Sequence, residues 1–346
     1  MTSRVRRVAV VGGGVAGLAL AAGLPRSVEV VLHEAQPERA RWGSALVLGA
    51  WARPALHRLG VLDSVTRAGS PVGAGRLFAL DGRALTRPHD LHLLAVPRPG
   101  LLDALTAAVG PGVRVLHDEV LDPAELDADL VVGADGVRSR VRGLVDPGRA
   151  ARLGTPWVAL RGRLGAPPGA AAGEYWGPGL LVGLVPSPGG GHWFTAHRST
   201  LGPEPLDVAA VHEEVRVLAQ GAGAAVRSTV EDATAGLAAT RLWVAPPMRR
   251  YVHGRYVVVG DAAHAMTPNL GRGAGEALLD AVTLADRVAA GGSLAAWQAR
   301  RLPRTQAART ASSAVMRLAL AERGAGVRDA VLRLSPAGDA RPGGRR

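Results

Sequence analysis

The glycine-rich turn near the start of the chain constrains the fold more than any other feature. Val5 to Val11 is an apolar, β-branched run that predicts a buried strand, and Val15 to Leu24 has the composition of a helix. Between them, Gly12 to Gly17 fits the pattern Gly-x-Gly-x-x-Gly. A second strand is predicted from Val28 to His33. We therefore expect a strand–helix–strand unit of the dinucleotide-binding type.

Each of the three glycines in the Gly-x-Gly-x-x-Gly pattern has its own steric role. Gly12 permits the tight turn, Gly14 lets the backbone approach a pyrophosphate, and Gly17 lets the helix pack closely on the strand. The free N–H groups and the positive dipole end of the helix favour phosphates. The residues of the turn expected to contact the cofactor are Gly12, Gly14, Val15, Ala16 and Gly17.

Glu34 follows the second strand at the spacing expected for a ribose-binding acid. Its carboxylate would accept hydrogen bonds from both ribose hydroxyls and would repel a 2′-phosphate. The pocket therefore suits FAD or NAD and not NADP, but the turn alone does not separate FAD from NAD.

Composition excludes several other classes. A chain of 346 residues with 47% hydrophobic residues is long enough for two joined domains. All 41 basic residues are Arg and they are scattered, so the net charge of +12 does not predict a nucleic-acid groove. The absence of Cys excludes disulfides and thiolate chemistry, and no metal site is predicted. No stretch predicts a membrane span, and we expect a cytoplasmic protein.

Two further motifs follow predicted strands. Gly133 to Arg142 reads Gly-Ala-Asp-Gly-Val-Arg-Ser-Arg-Val-Arg, and Gly254 to His264 contains Gly260-Asp261. A second glycine-rich turn, Met266 to Gly275, comes directly after. With three motifs in this order, the chain resembles the FAD-dependent aromatic-ring hydroxylases, the flavoprotein monooxygenases of the para-hydroxybenzoate hydroxylase type.

Shorter segments support the resemblance. Arg41 to Ala45 resembles the family's second FAD-contacting loop, and Arg98 to Leu101 resembles a helix start. Glu174 to Gly177 and His192 to Phe194 are similar to strands of the family's substrate-domain sheet. Trp297 to Arg304 is similar to its late aromatic-plus-arginine helix.

The resemblance implies roles for individual residues. Asp261 would hold a ribityl hydroxyl, and Pro268 would line the flavin ring. Asp135 would lie near the pyrophosphate, in a motif also associated with the nicotinamide cofactor. The helix starting near Gly271 would aim its amides at the pyrimidine edge, where reduced flavin is negative. Beyond the first turn, the implied cofactor-binding residues are Glu34, Arg41, Ala45, Arg98, Asp135, Asp261, Pro268, Gly271, Gly273 and Ala274.

Structural interpretations stand beside these roles. Asp261 could cap a turn, and Asp135 could form an Asx-turn. For His264 we favour a hydrogen-bonded structural role. The arginines at 138, 140 and 142 are expected to form a solvated face.

The chain also departs from the family pattern. The family often has Gln where this chain has Arg272, and Asn where it has Gly275. A cation beside the flavin could alter its potential or attract an anionic substrate.

The predicted fold class is α/β, with a Rossmann-like FAD-binding domain, built on a parallel sheet with helices, and an inserted antiparallel-sheet substrate domain. A helix near Val208 to Leu218 is expected in the inserted part. A late helix, Leu294 to about Glu322, is expected to break near Pro303. The predicted boundaries are 1–70, 98–154 and 248–322 for the FAD-binding domain, 71–97 and 155–247 for the substrate domain, and 323–346 for a partly disordered extension, with Ser335 to Arg346 as its disordered tail.

The resemblance implies an FAD-dependent monooxygenase that takes electrons from NADH or NADPH and reacts with O2 through a flavin C4a-hydroperoxide. Its substrate would be an electron-rich aromatic or polyketide-like small molecule. No catalytic base is assigned, with His192 and His197 as possibilities. Candidates for the pocket wall, equally compatible with ordinary core positions, are Tyr175, Trp176, Trp193 and Trp243. One alternative is an FAD-dependent epoxidase or other flavin oxidoreductase acting on an isoprenoid-type compound, and another is a non-catalytic nucleotide-binding module.

Overall fold

The computed structural model describes residues 5–40, 45–202, 204–233 and 236–334. Its helices are α1 (Val15–Gly23), α2 (Pro37–Ala40), α3 (Arg53–Arg58), α4 (Leu62–Ala68), α5 (Arg98–Ala108), α6 (Val141–Val145), α7 (Val208–Leu218), α8 (Ala224–Glu231), α9 (Asp261–His264), α10 (Gly273–Ala289), α11 (Leu294–Ala319) and α12 (Ala325–Leu334). Its strands are β1 (Arg7–Val11), β2 (Glu29–His33), β3 (Leu46–Gly49), β4 (Ser70–Gly75), β5 (Leu77–Ala79), β6 (His89–Val96), β7 (Val113–Leu116), β8 (Leu130–Gly133), β9 (Leu153–Leu164), β10 (Gly173–Trp176), β11 (Leu180–Ser187), β12 (Gly190–Arg198), β13 (Ala238–Val244), β14 (Val252–His253) and β15 (Tyr256–Val258).

The chain forms two compact units. The first comprises Met1–Pro71, Leu93–Thr155 and Arg241–Met316, and the second comprises Val72–His92, Pro156–Thr240 and the part from Arg317 onward. The C-terminal segment Ser335 to Arg346, predicted as disordered, lies outside the described residues.

The first unit is built on a six-stranded sheet in the order β14-β15-β8-β1-β2-β7. The pairs β15–β8, β8–β1, β1–β2 and β2–β7 are parallel. Val8 to Val11 of β1 form a continuous apolar run, and all four residues are buried. This is the pattern expected for a central parallel strand, which is covered on both faces. This arrangement sends the carboxyl ends of β15, β8, β1 and β2 to one edge of the sheet.

Most of an antiparallel-rich sheet in the order β13-β9-β12-β11-β10-β5 belongs to the second unit. α7 and α8 bury Val211, Val215, Val226 and Val230 in one apolar cluster with residues of this sheet. The α7 prediction matches the structure, whereas α8 was not predicted. The α/β fold class, with a Rossmann-like parallel sheet and an antiparallel sheet, is confirmed.

One helix prediction was wrong. α11 runs through Pro303 without a break, although an internal proline removes a hydrogen bond and costs about 3 kcal/mol. The helix is held on both sides of the proline. Trp297 Nε1 donates to Thr283 at 3.0 Å, and the hydroxyls of Thr305 and Tyr251 lie 2.7 Å apart. Tertiary anchoring therefore offsets the local penalty.

Among the described residues, no helix combines the length and the apolarity needed to cross a bilayer.

Candidate functional site

Four of the predicted segments meet at the carboxyl edge of the parallel sheet. Val11 pairs with His33 and with Gly133, and Gly133 pairs with Val258. The glycine turn, Glu34, Asp135 and Asp261 follow these strand ends directly. Because the strands are adjacent and parallel, the segments form one continuous rim in the order β15, β8, β1, β2.

In the first glycine turn, Gly12 and Gly17 are closely packed against backbone atoms, whereas Gly14 borders open space. Gly12 has φ +105°, and a Cβ there would overlap the carbonyl of Ala134. A Cβ on Gly17 would overlap the carbonyl of Gly12, so the helix can start here only because position 17 is Gly. A Cβ on Gly14, in contrast, would meet no atom within 4 Å. α1 begins after Gly14 without a side-chain cap, so no N-cap side chain accepts a hydrogen bond from its first N–H groups.

Glu34 closes one end of the rim. Its Oε2 accepts the N–H of Gly13 at 2.7 Å, and its Oε1 accepts the N–H of Gln36 at 2.6 Å. These bonds fix the carboxylate against the glycine turn. A carboxylate has about four acceptor sites, so it retains capacity for ribose hydroxyls.

Asp135 has a structural role, but not the Asx-turn considered for it, because the N–H groups that it accepts lie five and six residues further along the chain. Its Oδ2 accepts the N–H of Arg140 at 2.7 Å and holds the turn after β8. Its Oδ1 is buried and has no partner. Burial raises the pKa of this carboxyl, and hydrogen bonds from Ser139 and the backbone partly oppose that shift.

Arg142 is completely buried, so its assignment to a solvated face was wrong, whereas Arg138 and Arg140 are exposed. The Arg142 guanidinium donates to four backbone carbonyls at 2.7 to 3.1 Å, namely those of Val137, Arg149, Ala150 and Ala262. Ala262 lies beside Asp261, so Arg142 joins the turn after β8 to the turn after β15. This joining role could not be read from the arginine-rich sequence.

Asp261 on the rim and Arg98 at the start of α5 are close enough for their charges to interact. Asp261 is exposed and begins α9, and Arg98 begins α5. Burial lowers the pKa of Arg98, and the charge of Asp261 opposes this shift. Arg98 Nε is buried and has no hydrogen-bond partner. A desolvated guanidinium beside an accessible carboxylate fits a site for a ligand with anionic and hydroxyl groups.

The second glycine turn leads into α10. Pro268 is exposed in a short 3₁₀ turn, and Gly271 adopts the left-handed conformation with φ +58°. A Cβ on Gly271 would lie 3.3 Å from Val47 in β3, the strand that follows half-buried Ala45. The Cβ position of Gly273 is 4.0 Å from Oδ1 of Asp261. The start of α10, which includes Ala274, thus lies beside Asp261.

Trp51 accounts for both departures from the family pattern. The guanidinium of Arg272 lies over the Trp51 ring at 4.9 Å and is paired with Glu276, whose Oε1 is 3.1 Å from Arg272 Nε. A Cβ on Gly275 would lie only 2.9 Å from Trp51 Nε1. Arg272 therefore has its own counter-ion, and Gly275 makes room for the indole.

A buried charge network stabilises the turns from behind. Asp280 accepts hydrogen bonds from His264 at 2.6 Å, from Arg301 at 2.7 Å and from the N–H of Gly260 at 3.0 Å. Arg301 also donates to Glu276 at 2.6 Å. Burial opposes ionisation of Asp280, but the charges of His264 and Arg301 hold its pKa below the usual value. His264 thus has the predicted hydrogen-bonded position, whereas the rest of the network was missed. The i, i+4 spacing of Glu276 and Asp280 on α10 was its only sequence signal.

Several buried polar atoms of the first unit lack a hydrogen-bond partner. The described residues contain eight buried side-chain atoms without a partner, and six of them lie in the first unit: Trp51 Nε1, Arg98 Nε, Asp135 Oδ1, His264 Nδ1, Thr267 Oγ1 and Asn269 Oδ1. An unsatisfied buried group costs about 1–3 kcal/mol. Each such atom calls for ordered water or a polar ligand. Arg98 Nε and Asp135 Oδ1 are the two that belong to predicted cofactor-binding residues, and together with the open space at Gly14 they fit a dinucleotide.

Other predicted site residues are distributed differently. Arg41 lies outside the described residues. Tyr175 and Trp193 belong to the buried cluster under α7 and α8, so the core interpretation holds for both. His197 is fully buried and paired with Glu214 on α7 at 3.0 Å, which gives it a structural role.

The two remaining pocket-wall candidates, Trp176 and Trp243, each have an arginine beside the indole ring. Arg152 stacks on the Trp243 ring at 3.5 Å, and Arg328 lies 5.9 Å from the centre of the Trp176 ring.

The chain is similar to several known flavoproteins and monooxygenases. A family model described as an FAD binding domain matches residues 214–312, which include Asp261 and α10. The chain is 32% identical to 2-heptyl-3-hydroxy-4(1H)-quinolone synthase of Pseudomonas aeruginosa, over 80% of this chain and 79% of that protein. It is 30% identical to salicylate hydroxylase of Pseudomonas putida, over 81% of this chain and 76% of that enzyme.

This chain belongs to the FAD-dependent aromatic-ring monooxygenases. It is therefore an oxidoreductase that uses FAD and takes electrons from NAD(P)H. Its fold matches that of Klebsiella pneumoniae HpxO complexed with FAD and uric acid, with a TM-score of 0.83 and 20% identity over 95% of this chain and 93% of that one.

Proposed function

We propose that the rim formed by the turns after β15, β8, β1 and β2 is the FAD site, and that the enzyme uses O2 to hydroxylate an aromatic small molecule. The observation that carries this proposal is the open position at Gly14 beside an uncapped helix start, between two glycines that are closely packed. A phosphate is the ligand for which such a position is suited. Bound FAD would supply the redox chemistry.

The chain's own residues would bind and orient the cofactor. Glu34, already fixed by the N–H of Gly13, would accept hydrogen bonds from ribose hydroxyls. Arg98, desolvated and unpaired at Nε, would bind an anionic or carbonyl group. Asp261 would accept a hydrogen bond from a ribityl hydroxyl. The N-terminus of α10 would stabilise negative charge on the reduced ring.

The substrate class follows from the relatives and remains a proposal for this chain. One relative is named for a quinolone and the other for salicylate. Both compounds have an aromatic ring that carries a hydroxyl or carbonyl group. We infer an electron-rich aromatic or polyketide-like compound. In this proposal the first unit is the FAD-binding domain and the second is the substrate domain.

The test is a visible spectrum followed by NAD(P)H oxidation with a panel of phenols and quinolones. We expect bound flavin, its reduction by NADH or NADPH, and hydroxylated product that carries label from ¹⁸O2. Asp261→Asn should weaken FAD binding, whereas the matched control Asp286→Asn, in a surface pair with Arg58, should not. A protein that binds no flavin after FAD is supplied would contradict the proposal.

A further inference from the structure

The sheet of the second unit has two chemically different faces. One face carries Tyr175, Val182, Trp193 and Leu160 into the apolar cluster under α7 and α8. Side chains alternate along a strand, so the neighbouring residues lie on the opposite face. That face carries Glu174, Gly183, Phe194, Arg161 and Trp176, which lie outside the apolar cluster.

The register places four of these residues in one row across the sheet. Glu174 pairs with Gly183, Gly183 with Phe194, and Phe194 with Arg161. A Cβ on Gly183 would overlap the ring of Phe194. The ring therefore lies across β11 toward β10, and only glycine at position 183 allows this. An aromatic surface is thus held beside Glu174.

Trp176 lies in the next row on the same face, two residues along β10. Its Nε1 donates to Oε2 of Glu174 at 2.9 Å, which fixes the carboxyl group. Trp176 is itself held by α12, because Arg328 donates to its carbonyl at 3.3 Å. The carboxyl group is therefore positioned by a rigid aromatic neighbour.

The second carboxyl oxygen of Glu174, Oε1, accepts no hydrogen bond from the described residues. Within the described residues Glu174 forms no ion pair, and the bond from Trp176 is its one side-chain hydrogen bond. The residue is half-buried, and Oε1 keeps some exposure to solvent. Burial raises the pKa of the group, and the bond from Trp176 only partly opposes this. An accessible oxygen in a desolvated setting without a counter-cation is a strong acceptor for a neutral donor and repels an anion.

We propose that Glu174 is a specificity-determining residue that accepts a hydrogen bond from a ring N–H or O–H of a neutral aromatic substrate stacked on Phe194. This inference rests on the proposed function and adds the substrate class: flat heteroaromatic or phenolic rings with a donor at the edge, in preference to aromatic carboxylates. Trp176 positions the carboxyl group, and Gly183 gives Phe194 its place.

The test compares two probes that differ by one donor. FAD-loaded enzyme is titrated with 4(1H)-quinolone and with its N-methyl derivative, and the change in flavin absorbance gives each Kd. We expect the wild type to prefer the N–H compound by about tenfold or more, the effect of one hydrogen bond to a charged group. Glu174→Leu should bring the two Kd values together, and Glu174→Gln should give an intermediate ratio. Glu213→Gln, on the exposed side of α7, should leave the ratio unchanged.

Three results would overturn the assignment of Glu174. They are an unchanged ratio in both Glu174 variants, tighter binding of the N-methyl compound to the wild type, and a response to salicylate with none to quinolone. In each case a yellow protein whose flavin is reduced by NADPH would leave the proposed function intact. Loss of flavin binding in the wild type would instead contradict the proposed function itself.

Discussion

Gly14 and Gly17 lie three residues apart in the same turn, yet alanine at the two positions should have opposite consequences. Gly14 has φ −76° and ψ −166°, which alanine tolerates, and its Cβ would meet no protein atom within 4 Å. Replacing a glycine N-cap by alanine should lower the free energy of unfolding of the FAD-free protein by less than about 1 kcal/mol. The new methyl group would, however, stand where a pyrophosphate must approach. We expect FAD affinity to fall at least about tenfold, or about 1.4 kcal/mol.

Gly17→Ala should instead damage the fold. Its Cβ would overlap the carbonyl of Gly12, a backbone atom that cannot move without opening the turn. Overpacking costs about 1–3 kcal/mol, and replacing a helical glycine recovers only roughly 0.5–1 kcal/mol. Urea unfolding of the FAD-free proteins and fluorescence titration with FAD measure the two effects separately. If Gly14→Ala binds FAD as tightly as the wild type, the open position is not the phosphate site.

Three further predictions concern groups around the rim. Arg142→Met should destabilise the protein by about 3–5 kcal/mol, because it leaves buried carbonyls unpaired, and Arg142→Lys should recover only part of this in urea unfolding. Asp146 is fully buried, and its bonds from Arg249 outweigh burial and hold its pKa below 3.8. Its stabilisation is therefore present above that pH and lost as pH falls further, so Asp146→Asn should flatten the acid side of a stability–pH curve. Gly275→Asn should cost about 1–3 kcal/mol by overpacking against Trp51, and Trp51→Ala should reduce that cost in a double-mutant cycle. A cycle without coupling would contradict the claim that Gly275 makes room for the indole of Trp51.

The strand–helix elements of the parallel sheet were predictable because each has a strong local signal. β1 and α1 are mainly apolar, α10 is amphipathic, and glycine-rich turns precede both helices. The alternation of side chains along β10 and β12 also indicates which residues share a face. These signals were sufficient to predict the rim and its acids.

The remaining features depend on long-range packing. Arg142 is buried because three carbonyls of its own segment and the distant carbonyl of Ala262 converge on it, which the pattern of arginines does not reveal. Pro303 is tolerated because α11 is anchored on both sides of it. The fit of Trp51 against Gly275 pairs residues more than two hundred positions apart. A local pattern predicts that an arginine is exposed and that a proline ends a helix. In Arg142 and Pro303 tertiary contacts override these local preferences.

A crystal structure of the FAD-loaded protein tests the central claim most directly. Our account predicts one FAD per chain, with a ribose at Glu34, the pyrophosphate over Gly14 and the ribityl chain at Asp261. Electron density for the cofactor elsewhere, or contacts to only one of these three residues, would contradict it.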